Sequence, residues 1–88
     1  MKTIWKFMLA TTTEQVVPMP KGAKPLCVGV QETGPMLWAE VDTEAPFVDR
    51  LIEIIGTGRP MYDTDREYVG TVHADPFVWH VYDHGDPA

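Results

Sequence analysis

The sequence predicts an all-β fold, a small antiparallel sandwich or barrel of six to seven short strands with little helix. Three observations predict it. Eight prolines and seven glycines in 88 residues cut the chain into pieces of strand length. Within those pieces apolar and polar residues alternate with period two, the pattern of a sheet with one buried face. Turn-forming clusters separate them, so hairpins join most of the strands.

The first segment, Thr3–Leu9, sends Trp5, Phe7 and Leu9 to one side and Ile4, Lys6 and Met8 to the other. Thr11-Thr12-Thr13-Glu14 turns the chain into an extended piece, Gln15–Met19. Pro18 and Pro20 restrict that piece to a sheet edge, because proline has no N–H for a ladder. After the loop Lys21–Pro25, the segment Leu26–Gln31 places Leu26, Val28 and Val30 on one face and Cys27, Gly29 and Gln31 on the reverse. Glu32-Thr33-Gly34-Pro35 is a tight connection, and Met36–Asp42 returns with Leu37, Ala39 and Val41 inward and Met36, Trp38 and Glu40 outward. Thr43–Phe47 reads as a loop. In Val48–Ile55 the residues Ile52, Ile54 and Ile55 favour a strand over the competing reading of a short helix, and Gly56-Thr57-Gly58-Arg59-Pro60 stops the run. Tyr62–Glu67 is a loop or one helical turn. Glu67–His73 and Phe77–Tyr82 form a last pair across Ala74-Asp75-Pro76, with Phe77, Trp79 and Val81 opposed to Val78, His80 and Tyr82. Residues 83–88 are a polar, flexible tail on a single domain spanning 1–88.

A domain this short has little volume for a deep internal pocket, so a groove, a sheet face or a subunit interface is the expected binding place, and homo-oligomerisation would help stability. Hydrophobic residues are 44% of the chain and charged residues 23%, ordinary for a globular protein. One cysteine, Cys27, permits no internal disulfide and no cysteine-based zinc site. Lys2 and Lys6 interrupt Met1–Leu9, which reads as no leader, and no apolar run approaches a membrane span. The net charge of −6 is unevenly spread. Residues 1–30 hold four lysines against Glu14; the other twelve of the thirteen acids follow, with three arginines. That balance argues against direct nucleic-acid binding, which needs a basic footprint.

Catalysis finds little support. No serine exists for a nucleophile elbow, and Cys27, mid-strand among apolar residues, reads as a buried thiol of the usually inert kind. The carboxylates Asp63 and Asp65 occupy a loop with no sign of desolvation. His73, His80 and His84 are poorly spaced for a metal, since strand residues four apart lie about 13 Å from one another. No enzyme activity, metal or other cofactor is expected. Binding is better served. Gly56, Thr57, Gly58 and Arg59 form a turn whose amides and guanidinium suit an anion. Trp38, beside Met36 and Glu40, suits an interface or a stacking surface and equally suits burial under a loop, and Trp79 with His80 completes the candidate ligand-binding set. The plainer reading of the turn is a strand stop in which glycine permits positive φ, and that of Trp5 and Trp79 is core.

Several strings resemble a family of small uncharacterised phage and prophage accessory proteins: Lys2-Thr3-Ile4-Trp5-Lys6-Phe7, Met19-Pro20-Lys21-Gly22-Ala23-Lys24, Leu37-Trp38-Ala39, Gly56–Pro60, Tyr68-Val69-Gly70-Thr71 and Val78-Trp79-His80-Val81. Relatives often carry His where this chain has Arg59 and Phe where it has Tyr82. The resemblance implies a non-enzymatic protein of the infected bacterial cytoplasm that counters host immunity by binding. Its partner would be a nucleotide-derived immune signal held as by a sponge, or a host defence protein blocked by the acidic face. A virion or assembly component is the remaining reading.

Overall fold

A computed structural model describes residues 1–88 and shows an all-β domain of seven antiparallel strands. They are β1 (Lys2–Met8), β2 (Glu14–Pro20), β3 (Lys24–Gln31), β4 (Gly34–Asp42), β5 (Phe47–Gly56), β6 (Glu67–Ala74) and β7 (Phe77–Asp83). One sheet has the order β1-β4-β3 and the other β2-β5-β7-β6. The segment Tyr62–Arg66 is loop, not helix, and no helix is long and apolar enough to cross a membrane.

The alternation read from the sequence sets the faces. Leu37, Ala39 and Val41 of β4 pack against Val17 and Met19 of β2, Ile52 and Ile54 of β5 and Val81 of β7, all buried between the sheets. Trp5, Phe7, Val28 and Trp79 close the rim of this core. Full burial of the valine, leucine, isoleucine and methionine side chains among them contributes about 1.5–3 kcal/mol each, the main favourable term of the fold.

Arg50 shares the inward parity of Val48, Ile52 and Ile54 and is 3% exposed. Its Nη1 donates to Asp83 Oδ2 at 2.7 Å, and its Nη2 donates to Ala23 O at 2.6 Å and pairs with Asp86 Oδ1 at 3.0 Å. Asp86 in turn accepts from Gly22 N–H at 2.9 Å. The tail expected to hang free is therefore fastened over one end of the sandwich through Asp83 and Asp86. Sequence alone could not show this, because the cation that holds the two acids lies more than thirty residues upstream.

The prolines of β2 fit the edge for a geometric reason. Ile54 N–H donates to Thr13 O at 2.8 Å, so by alternation the odd residues of β2 bond to β5. Pro18 and Pro20 fall at even positions, where the missing N–H would have faced outward, and no ladder bond is lost.

Two local expectations differ. The β3–β4 register shifts between Pro25 and Cys27, so Leu26 is the extra residue of a bulge, exposed rather than inward with Val28. Cys27 is exposed on the outer face, paired with Trp38 across the ladder, and is not a buried thiol. Met36 is also on that outer face yet only 2% exposed. Lys6 Nζ donates to Gln31 Oε1 at 2.8 Å, and because β1 and β3 flank β4 this bond spans Met36.

Gly70 of β6 sets how near the two sheets come at their β3/β6 seam. A Cβ there would lie 2.7 Å from Val28 Cγ2, so only a residue without one permits the approach.

Candidate functional site

The Gly56–Arg59 turn leaves the end of β5 with Arg59 N–H donating to Gly56 O at 3.0 Å. Gly58, its third residue, has φ +89°, the left-handed value that glycine supplies without strain. Thr57 N–H donates to Val78 O at 3.2 Å, docking the turn against β7. The Thr57 and Arg59 amides are thus engaged within the fold, while Gly58 N–H makes no backbone hydrogen bond and remains, with the Arg59 guanidinium, as a donor of the turn.

The turn forms one wall of a cleft of about 720 Å³ at the end of the sandwich. Thr11 and Thr13 close it from the β1–β2 connection, Tyr62 and Pro60 from the β5–β6 loop, and Pro76 and Phe77 from the β6–β7 turn. Phe77 and Trp79, two apart on β7 and so on one face, stack with centroids 5.6 Å apart and planes 8° from parallel. Their rings give the cleft an aromatic wall.

Arg59 is the single charged residue lining the cleft. The other two arginines are committed elsewhere: Arg50 to Asp83 and Asp86, and Arg66 to Glu53 at 3.1 Å, with its guanidinium 5.6 Å from the Tyr82 ring centre. Arg59 has no ion-pair partner. No carboxylate lines the cleft, although the chain carries −6. With no ion pair and no carboxylate in the lining, the Arg59 charge is not neutralised within the cleft.

Of the residues singled out in the sequence, Gly56, Thr57, Arg59 and Trp79 meet at this cleft. Gly58 shapes the turn. His80 points to the outer face of the four-stranded sheet, where its Nε2 is bonded to Thr57 Oγ1 at 2.8 Å and its Nδ1 to Thr71 Oγ1 at 2.9 Å. A threonine hydroxyl both donates and accepts, so the two hydroxyls can meet either ring nitrogen whichever role it takes, and the turn is held from behind. His80 thus braces the turn and does not itself line the cleft. His84 is bonded to Glu53 at 2.7 Å, beside Arg66. Trp38 is not part of the cleft: it lies on the outer face of the three-stranded sheet, its ring over Gly29, where a Cβ would approach Cζ3 to 3.3 Å.

Phe77, Tyr62, Thr11 and Thr13 were not anticipated. The shared parity of Phe77 with Trp79 was a readable signal. The threonines come to the cleft from more than forty residues away, and nothing local marks them.

Over residues 1–88 the chain matches the family model described as Domain of unknown function (DUF7352), and it belongs to that family. No curated protein and no solved structure matches it.

Proposed function

We propose that this member of the family is a binding protein that takes a small, planar, anionic ligand of nucleotide type into the cleft beside the Gly56–Arg59 turn. The observation that carries the reading is a cleft in an acidic protein lined by one unpaired arginine, no carboxylate and a stacked aromatic pair. A phosphate meets Arg59 in charge-assisted hydrogen bonds, and a base stacks on the Phe77–Trp79 wall. Stacking on an aromatic side chain is worth about 1–3 kcal/mol per base, and neither contact requires a reaction. The resemblance to small phage and prophage proteins supplies the setting of this reading. There the ligand is a nucleotide-derived immune signal, and its sequestration in the infected cell is the function.

Titration calorimetry against adenosine, AMP, ADP-ribose and cyclic dinucleotides tests it. Phosphate-bearing ligands should bind and adenosine should bind far more weakly. Absence of heat and of any thermal shift at millimolar concentration of every ligand sinks the proposal.

One observation favours a second reading. Asp63, Asp65 and Glu67 are exposed and free of ion pairs at the outer edge of the same loop, a face that suits a basic protein surface. Reversing these three charges would abolish capture of such a partner and leave nucleotide binding in place.

A further inference from the structure

We propose that β1 pairs edge to edge with β1 of a second copy of this chain, in one register, to make a closed two-fold dimer.

The sandwich has four edge strands, and three are blunted. β2 presents Pro18 and Pro20 at its outward positions. β3 and β6 carry bulges and face one another at the Gly70–Val28 approach. β1 has neither proline nor bulge, and its register with β4 runs unbroken from Lys2 to Met8. Such an edge is a template for another strand unless something guards it.

Hydrogen bonding shows which groups are offered. Thr43 N–H donates to Met1 O at 2.8 Å and Leu9 N–H to Pro35 O at 3.0 Å, so the odd residues of β1 bond to β4. By alternation the N–H and C=O groups of Lys2, Ile4, Lys6 and Met8 point away from the sheet. Lysine is a common edge guard, but Lys6 is drawn back across β4 by its bond to Gln31. Ile4 and Met8, the apolar residues between and beyond the lysines, are 58% and 64% exposed.

Among the registers that overlap most of β1, charge chooses one. An antiparallel two-fold pairing must set these even residues opposite one another. Centred on Ile4, it places Lys2 opposite Lys6 of the second copy; centred on Lys6, it places the two Lys6 residues face to face. Like charges directly opposite are unfavourable. Centred on Trp5, every lysine meets an apolar residue, Lys2 against Met8 and Ile4 against Lys6. The two Trp5 rings then adjoin on the inner side, beside Phe47, whose ring centre is 6.2 Å from that of Trp5. The result is a six-stranded sheet β3-β4-β1-β1-β4-β3, and with the other edges blunted the assembly stops at two.

Light scattering and native mass spectrometry should give twice the chain mass of 9.9 kDa. Ile4→Pro removes an outward N–H that β4 does not use and should return the mass to 9.9 kDa with an unchanged circular dichroism spectrum. A second measurement does not depend on that variant folding. In a Cys27→Ala background, chains carrying Ile4→Cys and chains carrying Lys6→Cys should form a disulfide-linked dimer when mixed and not when oxidised separately. A monomeric wild type at millimolar concentration overturns the proposal, as does a dimer indifferent to folded Ile4→Pro. Cross-linking of either cysteine chain with itself overturns the register.

Discussion

Gly70→Ala probes how closely the two sheets meet. The added Cβ would sit 2.7 Å from Val28 Cγ2, against an optimum of about 3.5–4.0 Å between carbons. Roughly 1 Å must be found. Val28 is β-branched and stiff at χ1, so its methyl yields only by leaving a rotamer well or by parting β3 from β6. Overpacking of this kind costs about 1–3 kcal/mol. The alanine also reduces the freedom of the unfolded chain, which offsets about 0.4–1 kcal/mol. A net loss of about 1–2 kcal/mol should lower the melting temperature by roughly 5–15 °C for a domain of this size. Val28→Ala removes the obstructing methyl, and the next contact, Val28 N at 3.7 Å, is an ordinary one. Urea denaturation of both single variants and the double, followed by tryptophan fluorescence, closes the cycle. The double variant should be more stable than the sum of the singles predicts by about 1 kcal/mol or more. Additive losses, or a Gly70→Ala protein within about 0.5 kcal/mol of wild type, would refute the close approach of the sheets.

Three further outcomes are expected. Arg50→Met leaves Asp83 buried without its cation and should cost about 3–5 kcal/mol in urea denaturation, while faster proteolysis after residue 83 would show the tail released. Arg59→Ala removes an exposed side chain with no ion-pair partner, so stability should stay within about 0.5 kcal/mol of wild type, whereas calorimetric binding of any phosphate-bearing ligand should be lost. The Asp42 carboxyl titrates below its ordinary value of 3.8, chiefly because it accepts the Glu44 N–H and also because it faces the terminal ammonium. With the folded value lower than the unfolded one, its contribution is full above pH 3.8 and is lost as pH falls through the folded value. Asp42→Asn should therefore flatten the acid limb of a stability–pH curve in that window, and a carboxyl NMR titration of the wild type should give a midpoint below 3.8.

The period-two pattern determined the strands and their inner faces, because a pleated strand cannot turn its apolar residues inward without turning its polar ones out. It also placed β2 at an edge, since a proline without an N–H fits only where no partner waits. The Gly56–Arg59 turn, with Gly58 as its left-handed residue, was legible for the same local reason. What needed tertiary structure was every relation between strands beyond the β3–β4 and β6–β7 hairpins. Thr11, Thr13 and Phe77 join Arg59 and Trp79 at one cleft only because β7 lies beside β5 and the β1–β2 connection folds over their end. Trp38 was drawn into the candidate site by its place beside Met36 and Glu40 on the outer face of its strand, and it belongs to another sheet. Cys27 looked buried because its sequence neighbours are apolar, yet a bulge at Leu26 and the parity of β3 turn it to solvent. The tail looked free because its anchor, Arg50, is an inward-facing cation that alternation alone would have assigned to the core without its acids. Local pattern sets which way a side chain points; what it meets there is set by contacts distant in sequence, which no window of neighbouring residues contains.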